Sequence, residues 1–223
     1  FPFASYLNQG VIQELSVGTE LEIVNAARKS FDTTHSKFTE QDEKLIKFLI
    51  KENHWLPFRH PQLSFECEVP IFVARQLGKH QIGLSWSEVS RRYKTEGLKF
   101  FKPNIFRLDQ KNRKQGEGPP SGFFKNILAS FIFSSINTIS YLAYKSLLSL
   151  NIAPEQARGI CTQNMYVHYT WTGSLLAWIH LCNQRTHKDT QKETRDFVAK
   201  FIMPEIKNRF PITYRQLVSQ WNG

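Results

Sequence analysis

The sequence predicts an α+β fold in a single domain, residues 1–223, on three observations. Apolar residues recur at helical spacing along most of the chain, and one short segment alternates at a period of two. The strongest candidate boundary, the polar Gly/Pro stretch at 107–122, is short for a domain linker. Hydrophobic residues make up 41% and charged residues 22% of the chain, which suits a packed core. These proportions exclude a disordered chain, a collagen-like chain and a coiled-coil rod.

Each element has its own signal. Residues 18–29 place Leu21, Val24 and Ala27 at helical spacing. Thr39 followed by Asp42 predicts an N-cap, and the helix it opens carries Leu45, Ile46, Leu49 and Ile50 on one stripe. Pro57 breaks that pattern. Over 63–69, Leu63, Phe65, Cys67 and Val69 share one face while Ser64, Glu66 and Glu68 share the other, as in a half-buried strand. Pro70 then suits the first turn of a helix over 71–80. Residues 123–150 are apolar-rich, but Lys125, Asn126, Asn137 and Lys145 interrupt them. The reading is a buried or oligomer-facing helix rather than a membrane span. Pro154 with Glu155 opens another helix, and a last amphipathic helix is predicted from about Thr190 to Ile202.

Cys67, Cys161 and Cys182 lie far apart, which gives neither a disulfide framework nor a C-x-x-C metal site. They read as small buried hydrophobes in a reducing, cytoplasmic compartment. No His/Cys/Asp/Glu spacing predicts a metal site. The first residues lack a basic flank and a long apolar run, so no secretory signal is expected.

The net charge of +10 calls for an anionic partner: nucleic acid, a membrane surface or a phosphorylated small molecule. Residues 79–114 hold ten Lys/Arg against three acids, which is +7 of that total. Trp86, Tyr93, Phe100, Phe101 and Phe106 interleave with these cations. Such a segment can grip single-stranded nucleic acid or a nucleotide phosphate, or simply form a solvated loop over its distal part, 94–114. Ser90-Arg91-Arg92, after a segment with Glu88 that reads as helical, is good phosphate chemistry: a hydroxyl beside two guanidiniums.

Separate blocks then line up along the chain. They include Asn25-Ala26-Ala27-Arg28-Lys29-Ser30, then His54 with Pro57-Phe58, and the run from Val69 to Gln76. Next come Arg75-Gln76-Leu77-Gly78-Lys79-His80-Gln81 and Ser90-Arg91-Arg92-Tyr93, with Glu88 two before the serine. Pro154-Glu155-Gln156-Ala157-Arg158, Met165-Tyr166, Trp171-Thr172, and Arg185 with Gln191 and Glu193 follow. In this order the blocks resemble the flavin-dependent thymidylate synthases, the ThyX family, whose signature reads R-Q-x-x-R-H-R, seven residues, then S-x-R-Y. The resemblance covers nearly the whole chain.

The resemblance implies a central antiparallel sheet flanked by helices, in a homotetramer with active sites between subunits. It implies methylation of dUMP at C5 to give dTMP. FAD reduced by NADPH would carry hydride and 5,10-methylenetetrahydrofolate would supply the carbon. On this resemblance Gln76, Lys79, Ser90, Arg91, Arg92, Arg158 and Arg185 face dUMP. Ser30, Lys79, His80, Gln81, Ile82, Glu88, His180 and Asp189 face FAD, and His54 faces folate or the flavin ring. Arg185 and Glu88 are the catalytic candidates. Arg185 would meet the uracil carbonyls, where a planar fork favours an enolate-like form. The phosphate dianion suits Ser90, Arg92 and Arg158. No G-x-G-x-x-G is present, so NADPH is expected to bind transiently in the flavin cleft rather than on a Rossmann unit.

This sequence also departs from the family. Lys79-His80-Gln81 replaces Arg-His-Arg, and eight residues separate Gln81 from Ser90. Asp189 stands for a histidine and His180 for an asparagine. Lys79 offers a point charge in place of a fork, and Gln81 removes a charge. Two further functions therefore stand beside the first: hydroxymethylation of dUMP or methylation of UMP, and a non-catalytic nucleic-acid binder. Nucleic acid is the less expected partner, and no membrane partner is expected. Read alone, His180 among Leu175, Leu176, Trp178, Ile179 and Leu181 is a packed residue, Trp171 and Trp178 are core, and Arg158 is solvated.

Overall fold

The computed structural model describes residues 10–110 and 117–221. Four strands, β1 (Gly10–Val17), β2 (Gln62–Pro70), β3 (Leu84–Glu88) and β4 (Tyr166–Ser174), lie in the order β1-β2-β4-β3. Every neighbouring pair is antiparallel, as the expected α+β class requires. β2 and β4 pair without a slip from Gln62–Ser174 to Pro70–Tyr166. The alternation predicted for β2 holds: Leu63, Phe65, Cys67 and Val69 are fully buried. Across the sheet they pair with Gly173, Trp171, Tyr169 and Val167 of β4. On the outer face Ser64 is buried as well, its hydroxyl 2.6 Å from that of Thr172.

Local chemistry starts and stops the helices. α1 (Glu20–Arg28) and α2 (Glu40–Lys51) both begin at capping boxes, Thr19 with Glu22 and Thr39 with Asp42. α3 (Ile71–Leu77) follows β2 directly, through Pro70 as N-cap. α4 (Phe123–Ser149) and the short α5 (Pro154–Ala157) precede β4. α6 (Leu175–Arg185) follows β4, with Ser174 Oγ accepting the Ala177 N–H at 3.3 Å. The helix predicted at 190–202 is α7 (Lys192–Phe197) running into a π-turn at Val198–Ile202. The path continues through α8 (Met203–Arg209) and α9 (Pro211–Trp221). Buried Glu20 accepts the N–H groups of Ile212 and Thr213 at the start of α9, both at 2.8 Å.

The lengths of these elements place the functional residues. β2 and β4 run antiparallel, so α3 and α6 leave opposite ends of the central pair. Nine strand residues span roughly 30 Å. Seven residues of α3 and eleven of α6 cover about 10 and 16 Å. Running back toward each other they nearly span the sheet, and their C-terminal ends meet.

α4 is inverted in polarity. Its inward face is polar: Asn137 Nδ2 donates to the Phe101 carbonyl at 3.0 Å and Ser140 Oγ to that of Ile160 at 2.9 Å. Its outward face carries Phe124, Phe131, Ile132, Ile139 and Leu142, all exposed in the single chain. The expectation of a buried helix does not hold, because this apolar face is exposed in the single chain. By length and composition alone the helix could cross a membrane. The polar bonds along its inner face instead tie it to the loops at 101 and 160–164.

Three further expectations change. The segment around Glu88 is the edge strand β3, not a helix, because Trp86 packs on the sheet with its ring centroid 3.4 Å from that of Tyr169. The 94–114 stretch, expected as a solvated loop, is anchored at its middle: Leu98, Phe100 and Phe101 are buried and Lys99 pairs with Glu68 at 2.9 Å, while 111–114 lie outside the described residues. His180 is exposed, since it falls on the solvent side of α6 while its neighbours Ile179 and Leu181 face the core. Trp171 and Trp178 are core, as expected; Trp178 Nε1–H donates to the carbonyls of Leu63 and Gly173. Cys67 and Cys182 are buried and Cys161 half-buried, and burial pushes the Cys67 thiol up to about 12.

Candidate active site

The first cluster forms where α3 and α6 converge. Arg185, in the last turn of α6, donates from Nε to His80 Nε2 at 2.7 Å and from Nη2 to the Gln76 carbonyl at 3.1 Å. A cation against the C-terminal carbonyls of two helices is favourably placed. The Gln76 side chain is fixed in turn: its Oε1 accepts from Thr194 Oγ1 at 2.9 Å, and its Nε2 donates to Gln191 Oε1. Beside them opens a cleft of about 500 Å³, lined by Gln76, Arg185, His187, Asp189 and Gln191 among others. Partial burial, then the Arg185 charge, hold the His80 imidazole below its ordinary range. Burial also lowers Arg185, which starts so high that it stays a cation.

The second cluster sits at the far end of β3. Glu88 closes the strand, and Trp86 Nε1 donates to its carboxylate at 3.4 Å. Desolvation pushes the Glu88 carboxyl up, against the pull of the Trp86 hydrogen bond and the Arg158 and Arg91 charges. Ser90 follows in a tight turn, its Oγ accepting the Arg92 N–H at 3.2 Å. Arg92 pairs with Glu155 of α5 at 3.1 Å, and its guanidinium lies 5.5 Å from the Tyr93 ring centroid. Arg91 braces the turn instead, donating to the carbonyls of Lys94 and Glu96 at 3.2 and 2.7 Å. Four strand steps from Leu84 to Glu88 separate this end of β3 from the His80 end by about 13 Å.

A third group lies at the turn after α1. Ser30 is exposed in the 3₁₀ turn Lys29–Phe31, ahead of Asp32 with its left-handed φ of 51°. Asn25 clamps the loop through the backbone of His35, at 2.8 and 2.9 Å. Arg28 pairs with the fully buried carboxylate of Asp42, with His35 Nδ1 3.4 Å away. His54 is exposed nearby in sequence, its ring edge on Phe48. Lys79, Gln81 and Ile82 are exposed on the turn into β3, where Gly83 has a φ of 73° that only glycine adopts freely.

The structure thus joins Gln76, His80 and Arg185, and separately Glu88, Ser90, Arg92 and Arg158. It leaves Ser30, His54 and His180 apart from both in the single chain. Sequence reasoning missed Thr194, Glu155 and Trp86 as partners of these residues. Glu155 carried a helix-start signal and a place in the Pro154–Arg158 block but no link to Arg92, and Thr194 lies 118 positions from Gln76, with nothing in the sequence linking them. A larger cavity, about 570 Å³, lies elsewhere, between Phe101, Ile105, Arg107, Lys192 and Phe201. Its rim cations are paired, Arg107 with Glu193 at 2.5 Å and Lys192 with Glu117 at 3.1 Å. Among the described residues no cluster of His, Cys, Asp and Glu could hold a metal ion.

The donor set fits anionic, planar ligands. Exposed Lys79, Arg92 and Arg158, a serine in a tight turn and an oriented Arg185 suit a nucleotide and a flavin nucleotide. Comparison with known proteins agrees. The family described as thymidylate synthase complementing protein matches residues 12–212. The flavin-dependent thymidylate synthase of Thermus thermophilus is 30% identical over 209 residues, covering 93% of this chain and 75% of that protein. The Wolbachia pipientis enzyme of the same name is 32% identical over 217 residues, covering 95% and 75%. In fold, the chain is similar to the UMP/dUMP methylase PolB from Streptomyces cacaoi bound with 5-Br dUMP. The TM-score is 0.83 at 23% identity, over 98% of this chain and 97% of that one. The family match over residues 12–212 and relatives at 30% identity or more over most of the chain assign it: it belongs to the flavin-dependent thymidylate synthase family and is an enzyme of that kind.

Proposed function

We propose that the protein methylates dUMP at C5 to give dTMP. The observation that carries this reading is Arg185, oriented by His80 and the Gln76 carbonyl at the mouth of a cleft, in a chain whose residues 12–212 match the family. When bound, FAD supplies hydride taken from NADPH, and 5,10-methylenetetrahydrofolate supplies the carbon. The chain's own residues position and polarise. Ser90, Arg92 and Arg158 hold the nucleotide phosphate, with charge-assisted hydrogen bonds to a dianion. Arg185 donates to the uracil carbonyls and stabilises the charge that gathers there as C5 attacks. Gln76, its side chain held by Thr194 and Gln191, keeps the carbonyl that aims Arg185 in place. Glu88 orients the base-stacked ring from the end of β3. Lys79, His80, Gln81, Ile82, Ser30, His180 and Asp189 line the flavin, and His54 faces folate. No side chain need act as a nucleophile.

The reading includes a homotetramer with each site shared between chains. Two observations support it: the outward apolar face of α4, and the separation of the site residues into clusters at opposite ends of β3. Buried thiols suit a reducing cytoplasm. The flavin-side changes at Lys79, Gln81 and Asp189 keep open a related output, hydroxymethylated dUMP or methylated UMP. The nucleic-acid alternative loses support because three cations of the basic segment are held by carboxylates, Lys99 by Glu68, Arg92 by Glu155 and Arg107 by Glu193. The test is a visible spectrum of the purified protein followed by reoxidation of the reduced flavin. Flavin absorbance and reoxidation dependent on dUMP and the folate support the proposal. A colourless protein that takes up no FAD sinks it.

A further inference from the structure

We propose that His80 is a positioning residue for Arg185: its neutral imidazole accepts the Arg185 Nε–H, aims the guanidinium into the cleft, and releases it on protonation. The proposal rests on the reading above, in which Arg185 faces the nucleotide base. The geometry is direct. Arg185 Nε is 2.7 Å from His80 Nε2, and Nη2 is 3.1 Å from the Gln76 carbonyl. A guanidinium only donates, so His80 Nε2 must offer a lone pair, and the ring proton must sit on Nδ1. Two of the five guanidinium N–H groups are fixed by these acceptors, which leaves three for a ligand. A protonated imidazole has no lone pair and repels the cation. The contact therefore exists in one protonation state of His80.

The surroundings favour that state. Arg185 of α6 and Lys79 in the same turn are cations, and the facing groups of α3 are the carbonyls of Gln76 and Leu77. The latter accepts the His80 N–H at 3.0 Å. Across the cleft, the Asp189 carboxylate lies 3.5 Å from His187 Nδ1. Burial and the Arg185 charge further disfavour the imidazolium. The free Nδ1–H is the donor left for the flavin side. Loss of activity on the acid side then arises through Arg185 and not through the flavin or the phosphate.

Two readouts test this. The first is the ¹⁵N shift pattern of His80 in labelled protein, with and without Arg185→Gln. The proposal expects the Nδ1–H tautomer, and an upward move of the His80 titration midpoint when the Arg185 charge is removed. An Nε2–H tautomer, or a midpoint unmoved by Arg185→Gln, overturns it. The second is the pH profile of dUMP-dependent flavin oxidation in wild type and His80→Gln, each scaled to its own maximum. Glutamine keeps an acceptor near the Nε2 position and does not titrate, so the acid limb should flatten whatever the height of the profile. An unchanged limb in a variant that retains flavin overturns the proposal. Should flavin-loaded wild type fail to oxidise with dUMP at any pH, the proposed function falls, and the tautomer measurement still decides the Arg185–His80 contact.

Discussion

Arg185 is the residue on which the fold and the proposed chemistry converge. It is cationic, half-buried and held by two acceptors, so its direction is set before any ligand arrives. Arg185→Ala should lower kcat/KM for dUMP by about a hundredfold or more, as loss of a transition-state donor does, while the flavin spectrum persists. Loss of flavin instead would move Arg185 to the cofactor. Asp42 is a different kind of key residue. Burial raises its carboxyl, but hydrogen bonds from Thr39 and the Arg28 guanidinium outweigh this and leave it below its ordinary value. Asp42→Ala strands Arg28 and should cost about 3 kcal/mol, read as a lower urea midpoint. The sign with pH follows from the lowered carboxyl. The Asp42 contribution is full above the ordinary aspartate range, about 4, and fades as pH falls through the folded value. Wild type and Asp42→Ala should therefore converge in stability toward acid. At this scale Arg185, His80 and Ser90 were legible, because each belongs to a block of neighbours in sequence. Thr194 was not, nor were the partners of Glu155 and Glu193, because folding brings those partners together.

At the scale of elements, the site depends on strands and helices of matched length. α3 and α6 reach each other because together they nearly cover the central pair. β3 holds its place because β4 has a glycine opposite Leu84. A Cβ on Gly173 would lie 2.5 Å from the Gly83 carbonyl oxygen, closer than carbon and oxygen tolerate. Gly173→Ala should loosen β3 and the Lys79–Gly83 turn, and faster amide exchange in 84–88 would register it. Helices with caps and clean apolar stripes were readable, α1 and α2 above all. β3 was misread because only five residues pair and most of its side chains are exposed. β1 escaped notice because its register shifts twice, between Val11 and Gln13 and between Glu14 and Ser16, which breaks the alternation. Pro204 and Pro211 hid α8 and α9, since both sit in first helical turns, where proline is tolerated. α4 offers its own test. Phe131→Glu places a charge in the middle of the outward apolar face. It should lower the sedimentation coefficient toward that of a single chain without unfolding it; an unchanged coefficient would remove α4 from the interface.

For the whole molecule, the charge of +10 first pointed to several kinds of anion. Folding narrows them. Most of the described cations in 79–107 have carboxylate or carbonyl partners, and Arg91 and Arg92 follow the turn serine Ser90. On the proposed function, this surface serves small phosphorylated ligands rather than a polymer. The overall fold and the membership of the family were readable from ordered blocks. The placement of the two clusters at opposite ends of β3 was not, because it depends on how α3, α6 and β3 pack in three dimensions. The most direct measurement is mass analysis of the nucleotide after incubating flavin-loaded protein with dUMP, NADPH and 5,10-methylenetetrahydrofolate. The account predicts dTMP, with one carbon gained from the folate and no hydroxymethyl nucleotide. Unmodified dUMP from a protein that holds flavin, or a hydroxymethylated product, would contradict it.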